Sequence, residues 1–203
     1  MNFIKKYNLN LTGAIIIGAD EGQEIPFYKE NKIKQLAFFE PRPPAYEKLL
    51  ESLKDIDDSF HIQTFNVGLG DVDGVLPMHT AGGGQSSSFL KPKLHLEKHP
   101  TILFRDDMIC NYPVKTLDSY SFSSGYNFIH MDVQGYELRV LKGGIKTLNN
   151  IVALSSEVNI IELYEDCVLM DELDNFLAKL NFSRVETNIT EFGWGDALYI
   201  KNL

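Results

Sequence analysis

Apolar positions along the chain fall into short blocks of two kinds, and the two kinds alternate. Gly13-Ala14-Ile15-Ile16-Ile17-Gly18 is a β-branched run closed by glycine, which predicts a strand buried on both faces. A helix is expected over residues 24–31, with Pro26 tolerated in its first turn. Leu36-Ala37-Phe38-Phe39 predicts a second buried strand, stopped by Glu40-Pro41. From Pro44 onward Tyr46, Leu49, Leu50, Leu53 and Ile56 recur at helical spacing between charges, and residues 61–67 read as a third strand.

The pattern then weakens. Residues 71–80 read as a further extended piece with Asp73-Gly74 as a turn signal. Residues 81–108 carry Gly82-Gly83-Gly84, Ser86-Ser87-Ser88, Pro92 and Pro100 with no clear period. A long aperiodic stretch inside a compact domain points to a functional lid, expected here over residues 80–108. Order returns with a strand over 127–132, on which Phe128, His130 and Asp132 share a face. A helix marked by Leu138, Leu141, Ile145 and Leu148 follows, then a strand over 151–158. Met170, Leu173, Phe176, Leu177 and Leu180 mark the next helix. Residues 184–189 and 197–201 form a closing pair around Gly193 and Gly195.

Strands alternating with helices predict a mainly parallel sheet with helices on both faces, and the last two strands lie too close for anything but antiparallel pairing. The whole of 1–203 reads as one α/β domain with a short lead over residues 1–12. Composition fits that reading: 44% apolar and 23% charged residues suit a globular chain of this length. A net charge of −9 argues against nucleic acid as a partner, because phosphate recognition needs a clustered positive field. Cys110 and Cys167 stand far apart with no metal-ligand spacing, and no apolar run is long enough to span a membrane. A reducing, cytoplasmic location is expected.

In such sheets ligands bind outside the carboxyl ends of the strands. Gly18-Ala19-Asp20-Glu21-Gly22 is a turn that lets a ligand approach bare backbone. Glu40 closes the second strand about twenty residues later, where a carboxylate can accept hydrogen bonds from both hydroxyls of a ribose. Together they favour a nucleoside-containing cofactor. A dinucleotide such as NAD is disfavoured, since Asp20 and Glu21 would repel its pyrophosphate and the third glycine is missing. S-adenosylmethionine, which carries an ammonium and a sulfonium, tolerates those carboxylates.

These segments resemble the FkbM family of S-adenosylmethionine-dependent methyltransferases. The likeness runs from about Gly13 to Asn202. It rests on Ile17-Gly18-Ala19-Asp20-Glu21-Gly22, Phe38-Phe39-Glu40-Pro41-Arg42-Pro43, Asn66-Val67-Gly68-Leu69-Gly70-Asp71 and Ser86-Ser87-Ser88. Thr116-Leu117-Asp118-Ser119, Met131-Asp132-Val133-Gln134-Gly135-Tyr136-Glu137, Leu141-Lys142-Gly143-Gly144, Ser156-Glu157-Val158 and Gly195-Asp196-Ala197-Leu198-Tyr199 extend it. The resemblance implies a Rossmann-like class I methyltransferase fold, with a seven-stranded sheet whose last strand is antiparallel. It implies cofactor contacts from Gly18, Ala19, Asp20 and Gly22, from Glu40 and Pro41, and from Val67 and Gly68 beside the adenine. Asp132 would face the methionine end or the substrate. One position departs from the pattern: the acidic residue usual two before the first glycine is Ile16 here, and Asp20 is the candidate to replace its charge.

Methyl transfer to a poorly acidic hydroxyl needs in-line positioning and a general base. Asp132, at the end of its strand, is the first candidate and His130 the second. Ser86, Ser87 and Ser88, with Gln134 and Glu157, are candidates for holding the substrate, and His79 could close with that loop. Asp132, Glu157 and Asn159 form a conceivable oxygen set for magnesium, which is not favoured because the resemblance does not itself imply a metal. Trp194 reads as a hydrophobic plug. The expected activity is S-adenosylmethionine-dependent O-methylation of a small molecule or glycan. A non-catalytic nucleoside-binding module is the alternative that Ile16 motivates, and an NAD-dependent oxidoreductase is a weaker one.

Overall fold

In a computed structural model that describes residues 3–202, strands and helices alternate in the predicted order. Met1, Asn2 and Leu203 lie outside the described residues, so the predicted lead is seen only from Phe3. The chain runs α1 (Phe3–Lys6), β1 (Gly13–Ile17), α2 (Ile25–Glu30), β2 (Gln35–Phe39), α3 (Pro43–Leu53) and β3 (His61–Phe65). It continues through β4 (Gly68–Gly70), β5 (Gly74–Ala81), α4 (His95–Lys98), β6 (Phe104–Thr116), β7 (Phe128–Met131) and α5 (Glu137–Lys142). β8 (Ala153–Asn159), α6 (Met170–Ala178), β9 (Phe182–Ile189) and β10 (Trp194–Lys201) complete it.

Seven strands form one sheet in the order β3-β2-β1-β7-β8-β10-β9. The first five are parallel, and β10 runs antiparallel to both β8 and β9. This is the class I methyltransferase arrangement. β1 is buried at all five positions because layers cover both of its faces. Ile15 and Ile17 enter one core with Met131, Val140 and Leu173, whereas Ala14 and Ile16 enter the other with Tyr28, Phe38 and Leu49. Pro26 and Pro43 stand at helix starts, where a missing backbone N–H costs nothing. The strand order reverses between β1 and β7, so the crevice there opens at their carboxyl ends.

The predicted lid is where sequence and structure part. β5 does not join the main sheet. It pairs antiparallel with β6, whose far end pairs with β4, making a second sheet of three strands. Residues 104–108, assigned to the aperiodic stretch, open the thirteen-residue β6. Only Val114 is buried along that strand, so it lacks the apolar alternation that would announce it. The helix after Gly135 is also shorter than its apolar spacing predicts. It stops at Gly143-Gly144, where any Cβ would strike Gly70 or Leu117, and Ile145 beyond it is exposed. Among the described residues, no helix is long and apolar enough to cross a membrane.

Candidate active site

A cavity of about 490 Å³ opens along the carboxyl edge of the main sheet. Its lining follows the strand order: Glu40 and Arg42 after β2, Gly18 and Asp20 after β1, Asp132 and Gln134 after β7, Glu157 on β8, and Trp194 at the start of β10. Val67, Gly68 and Leu69 contribute to its wall, as do Gly84, Gln85, Ser86 and Ser87 of the glycine turn.

At the β2 end, Glu40 is buried and its carboxylate is held on both oxygens. Oε2 accepts from the Asp20 backbone N–H at 3.0 Å, and Oε1 accepts from the Arg42 backbone N–H at 2.9 Å and from Arg42 Nε at 3.0 Å. Burial raises the Glu40 carboxyl above its ordinary range, and the Arg42 guanidinium opposes that rise. Arg42 Nη2 also donates to Asp20 Oδ1, and Gln23 donates to Asp20 Oδ2. The Asp20 charge is therefore already matched by Arg42, which weakens its candidacy as a replacement for the acid missing at Ile16. Ile16 itself is core, in register with Phe38 and His130.

In the middle of the edge, Gln134 Nε2 donates to Asp132 Oδ1 and to Glu157 Oε2, each at 2.7 Å. Tyr164 fixes that amide from behind, its hydroxyl 2.9 Å from Gln134 Oε1 and 2.9 Å from the Ser86 carbonyl. Gln134 holds φ at +55°, a left-handed conformation whose cost such clamping offsets. Asp132 is open to the cavity but ringed by protein elsewhere. That surrounding protein raises its carboxyl, while hydrogen bonds from Gln134 and Glu157 pull it down. Glu157 is pushed well above the usual range by burial and by the neighbouring Asp132 and Glu137. Two carboxyls this close disfavour each other's ionisation, and Glu157, the more buried of the two, feels it more.

Several predicted residues are brought together here, and others are not. Gly18, Asp20, Glu40, Pro41, Val67, Gly68, Asp132, Gln134, Glu157, Ser86 and Ser87 all line the cavity. Ala19 is buried in the core beneath the turn, and Gly22 packs against Ile25 and Leu49, so neither faces it. Ser88 is buried and donates to the Gln134 backbone carbonyl, which makes it a strut for the Gln134 loop rather than a substrate contact. His130 lies between Tyr28 and Phe128, its Nδ1 3.0 Å from the Tyr28 hydroxyl, and is absent from the cavity lining. The structure therefore does not bring it to the cavity.

The magnesium set also fails on chemistry. The space between Asp132 and Glu157 holds an amide donor, which a cation would have to displace. Among the described residues, no group of three or more His, Cys, Asp or Glu side chains is arranged to hold a metal ion. Asn159 is fully buried with neither side-chain atom partnered, and it does not line the cavity. Arg42, Tyr164 and His95 belong to the site and were not singled out from the sequence. Arg42 lies inside the quoted Glu40-Pro41 segment, whereas Tyr164 and His95 sit in aperiodic stretches that carry no signal.

Comparison with known proteins agrees with this geometry. In the search of curated proteins, a relative is the 2-O-methyltransferase NoeI of Sinorhizobium fredii (strain NBRC 101917 / NGR234), 28% identical over 183 residues, covering 83% of this chain and 73% of NoeI. Among solved structures, the S-adenosylmethionine-bound magnesium protoporphyrin IX methyltransferase of Synechocystis PCC 6803 superposes with a TM-score of 0.56 at 9% identity. That match covers 98% of this chain and 74% of that one. The methyltransferase domain of bacterial CtHen1-C gives 0.54 at 11% identity, over 99% of this chain and 94% of that one. Both likenesses speak to the fold. The model of the FkbM methyltransferase domain matches residues 17–184, a span that holds Glu40, Asp132, Gln134 and Glu157, and the chain belongs to that methyltransferase family.

Proposed function

We propose that the protein transfers a methyl group from S-adenosylmethionine to a hydroxyl of a small molecule or glycan. The observation that carries this reading is the line of acidic groups along one cavity, Glu40, Asp132 and Glu157, at the edge where the strand order reverses. Bound S-adenosylmethionine supplies an electrophilic methyl on a sulfonium. The residues present suit such a group. Glu40 Oε2 accepts a single bond from Asp20 and retains capacity for a ribose hydroxyl. Val67 and Leu69 offer apolar surface to a base, and Asp132, which opens onto the cavity, suits a cationic amino-acid end. An acid-lined cavity is a poor site for a pyrophosphate, which sets NAD aside. It is equally poor for a nucleic-acid phosphate backbone.

Oxygen as the accepting atom is supported by the likeness to a 2-O-methyltransferase. Within the chain, Asp132 is the group placed to orient the acceptor hydroxyl or the cofactor, with Gln134 fixing its carboxylate. Closure of the glycine turn would exclude water around the sulfonium. The second reading, a binding module without turnover, is favoured by one observation: Ile16 leaves the family's acidic position apolar and buried.

Calorimetric titration with S-adenosylhomocysteine, with NAD as control, tests the cofactor. Micromolar binding of the first and none of the second is expected. Radiolabelled S-adenosylmethionine offered with a panel of hydroxylated glycosides then separates the enzyme from the binding module. Absence of S-adenosylhomocysteine binding would overturn both readings.

A further inference from the structure

Gln134 reaches both Asp132 and Glu157 from a left-handed backbone, and three groups outside the cavity hold it there. Ser88 Oγ donates to its backbone carbonyl at 2.8 Å. Glu137 Oε1 accepts from the N–H groups on either side of it, those of Val133 and Gly135. The Tyr164 hydroxyl donates to its side-chain Oε1 at 2.9 Å. None of the three lines the cavity. Only Tyr164 among them addresses the side chain, whose terminal amide torsion has no sharp preference of its own. Tyr164 is firmly seated. It is fully buried, its ring packs against His95, and a Cβ on Gly135 would come within 3.5 Å of it. The residues on either side are tied to the segment that leads into α4. The Leu163 carbonyl accepts from the N–H groups of Lys93 and His95, at 2.8 and 3.0 Å, and the Glu165 N–H donates to the Lys91 carbonyl at 2.8 Å.

We propose that Tyr164 is a positioning residue for methyl transfer. Without touching cofactor or acceptor, it sets the Gln134 amide so that Nε2 faces Asp132 and Glu157, and thereby fixes the Asp132 carboxylate for the cofactor. This rests on the methyl-transfer reading above, in which Asp132 suits the cationic amino-acid end. The physical reason is the polarity of the amide. Turned the other way, Gln134 would aim its carbonyl oxygen at two carboxyls, and Asp132 Oδ1 would lose its donor. A carboxylate already held by a fixed donor needs little rearrangement when its ligand arrives, which is the gain of preorganisation. The bond from Gln134 also favours the charged form of Asp132, against the burial that disfavours it.

The test uses the full chain and Tyr164→Phe, which removes one oxygen and keeps the ring. Calorimetry should show S-adenosylhomocysteine binding roughly three- to tenfold more weakly to the variant, the worth of one hydrogen bond. In a Gln134→Met background the same substitution should change affinity by less than about twofold, because the group it acts through is gone. Equal losses in the two backgrounds would mean that Tyr164 acts through packing or the Ser86 carbonyl, and would overturn the assignment. A second readout is the Gln134 side-chain amide signal in ¹⁵N-glutamine-labelled protein, assigned with Gln134→Met. That signal should move when S-adenosylhomocysteine is added to wild type. In Tyr164→Phe it should already be shifted, and faster to exchange, before any ligand is added. If either change leaves the signal unmoved, the assignment falls, and the wild-type half of the measurement decides even where Tyr164→Phe does not fold. Failure of the wild type to bind S-adenosylhomocysteine would instead overturn the methyl-transfer reading, and this assignment with it.

Discussion

Gly18 and Asp132 meet at the ends of β1 and β7 so closely that a Cβ on Gly18 would stand 1.8 Å from the Asp132 carbonyl oxygen. Gly18 also holds φ at +77°, which an L side chain adopts only with strain. Gly18→Ala should therefore force β1 and β7 apart at the cavity. A loss of about 3 kcal/mol in stability and at least tenfold in S-adenosylhomocysteine affinity is expected. Denaturant titration and calorimetry on the one variant would check both, and a variant that binds normally would refute the coupling.

Glu40→Gln keeps the size of the side chain but removes the charge that Arg42 and the Asp20 N–H both address. Cofactor affinity should drop about 10- to 100-fold, the cost of losing a hydrogen bond to a charged group. Thermal shift in saturating S-adenosylhomocysteine reports it directly, as a smaller ligand-induced rise in Tm than in wild type.

His130→Phe separates core from chemistry. The variant strands the Tyr28 hydroxyl in the core, so stability should fall by roughly 1–3 kcal/mol. S-adenosylhomocysteine affinity and kcat in the folded variant should stay at wild-type values. A selective loss of kcat would return His130 to the reaction.

Glu137, buried at the start of α5, accepts N–H bonds from Val133 at 3.2 Å and Gly135 at 3.1 Å through Oε1, while its Oε2 has no partner. Burial lifts its carboxyl to about 7 from 4.5. Its protonated form thus stabilises the fold fully below pH 4.5, and that contribution is lost as pH rises through 7, by up to about 3 kcal/mol. Glu137→Gln keeps the acceptor and cannot ionise. Its stability relative to wild type should be level near pH 4 and higher by pH 8, as paired melts across that range would show. A difference that stays flat with pH would refute the shift.

Much of this was legible before any coordinates. Ile15–Ile17, Leu36–Phe39 and the turns after them announce their strands through unbroken apolar runs, and a run ending at Gly18 or Glu40 locates the edge where ligands bind. The three-stranded sheet was not legible. Along β6 only Val114 is buried, so the strand is set by pairing with β5 and not by a buried face. His130 misled for a related reason. Period-two spacing puts it on the face shared with Asp132, but the strand ends before Asp132, and only the residue past the end reaches the cavity. Tyr164 and His95 reach the site through loops tied to other loops, and no local pattern encodes such a meeting.

The Tyr164 hydroxyl stands 2.9 Å from two oxygens and owns a single proton. That proton is divided between the Ser86 carbonyl and the Gln134 amide oxygen, so the backbone of the serine turn and the amide that grips Asp132 draw on one phenol, and a change at either is felt at the other.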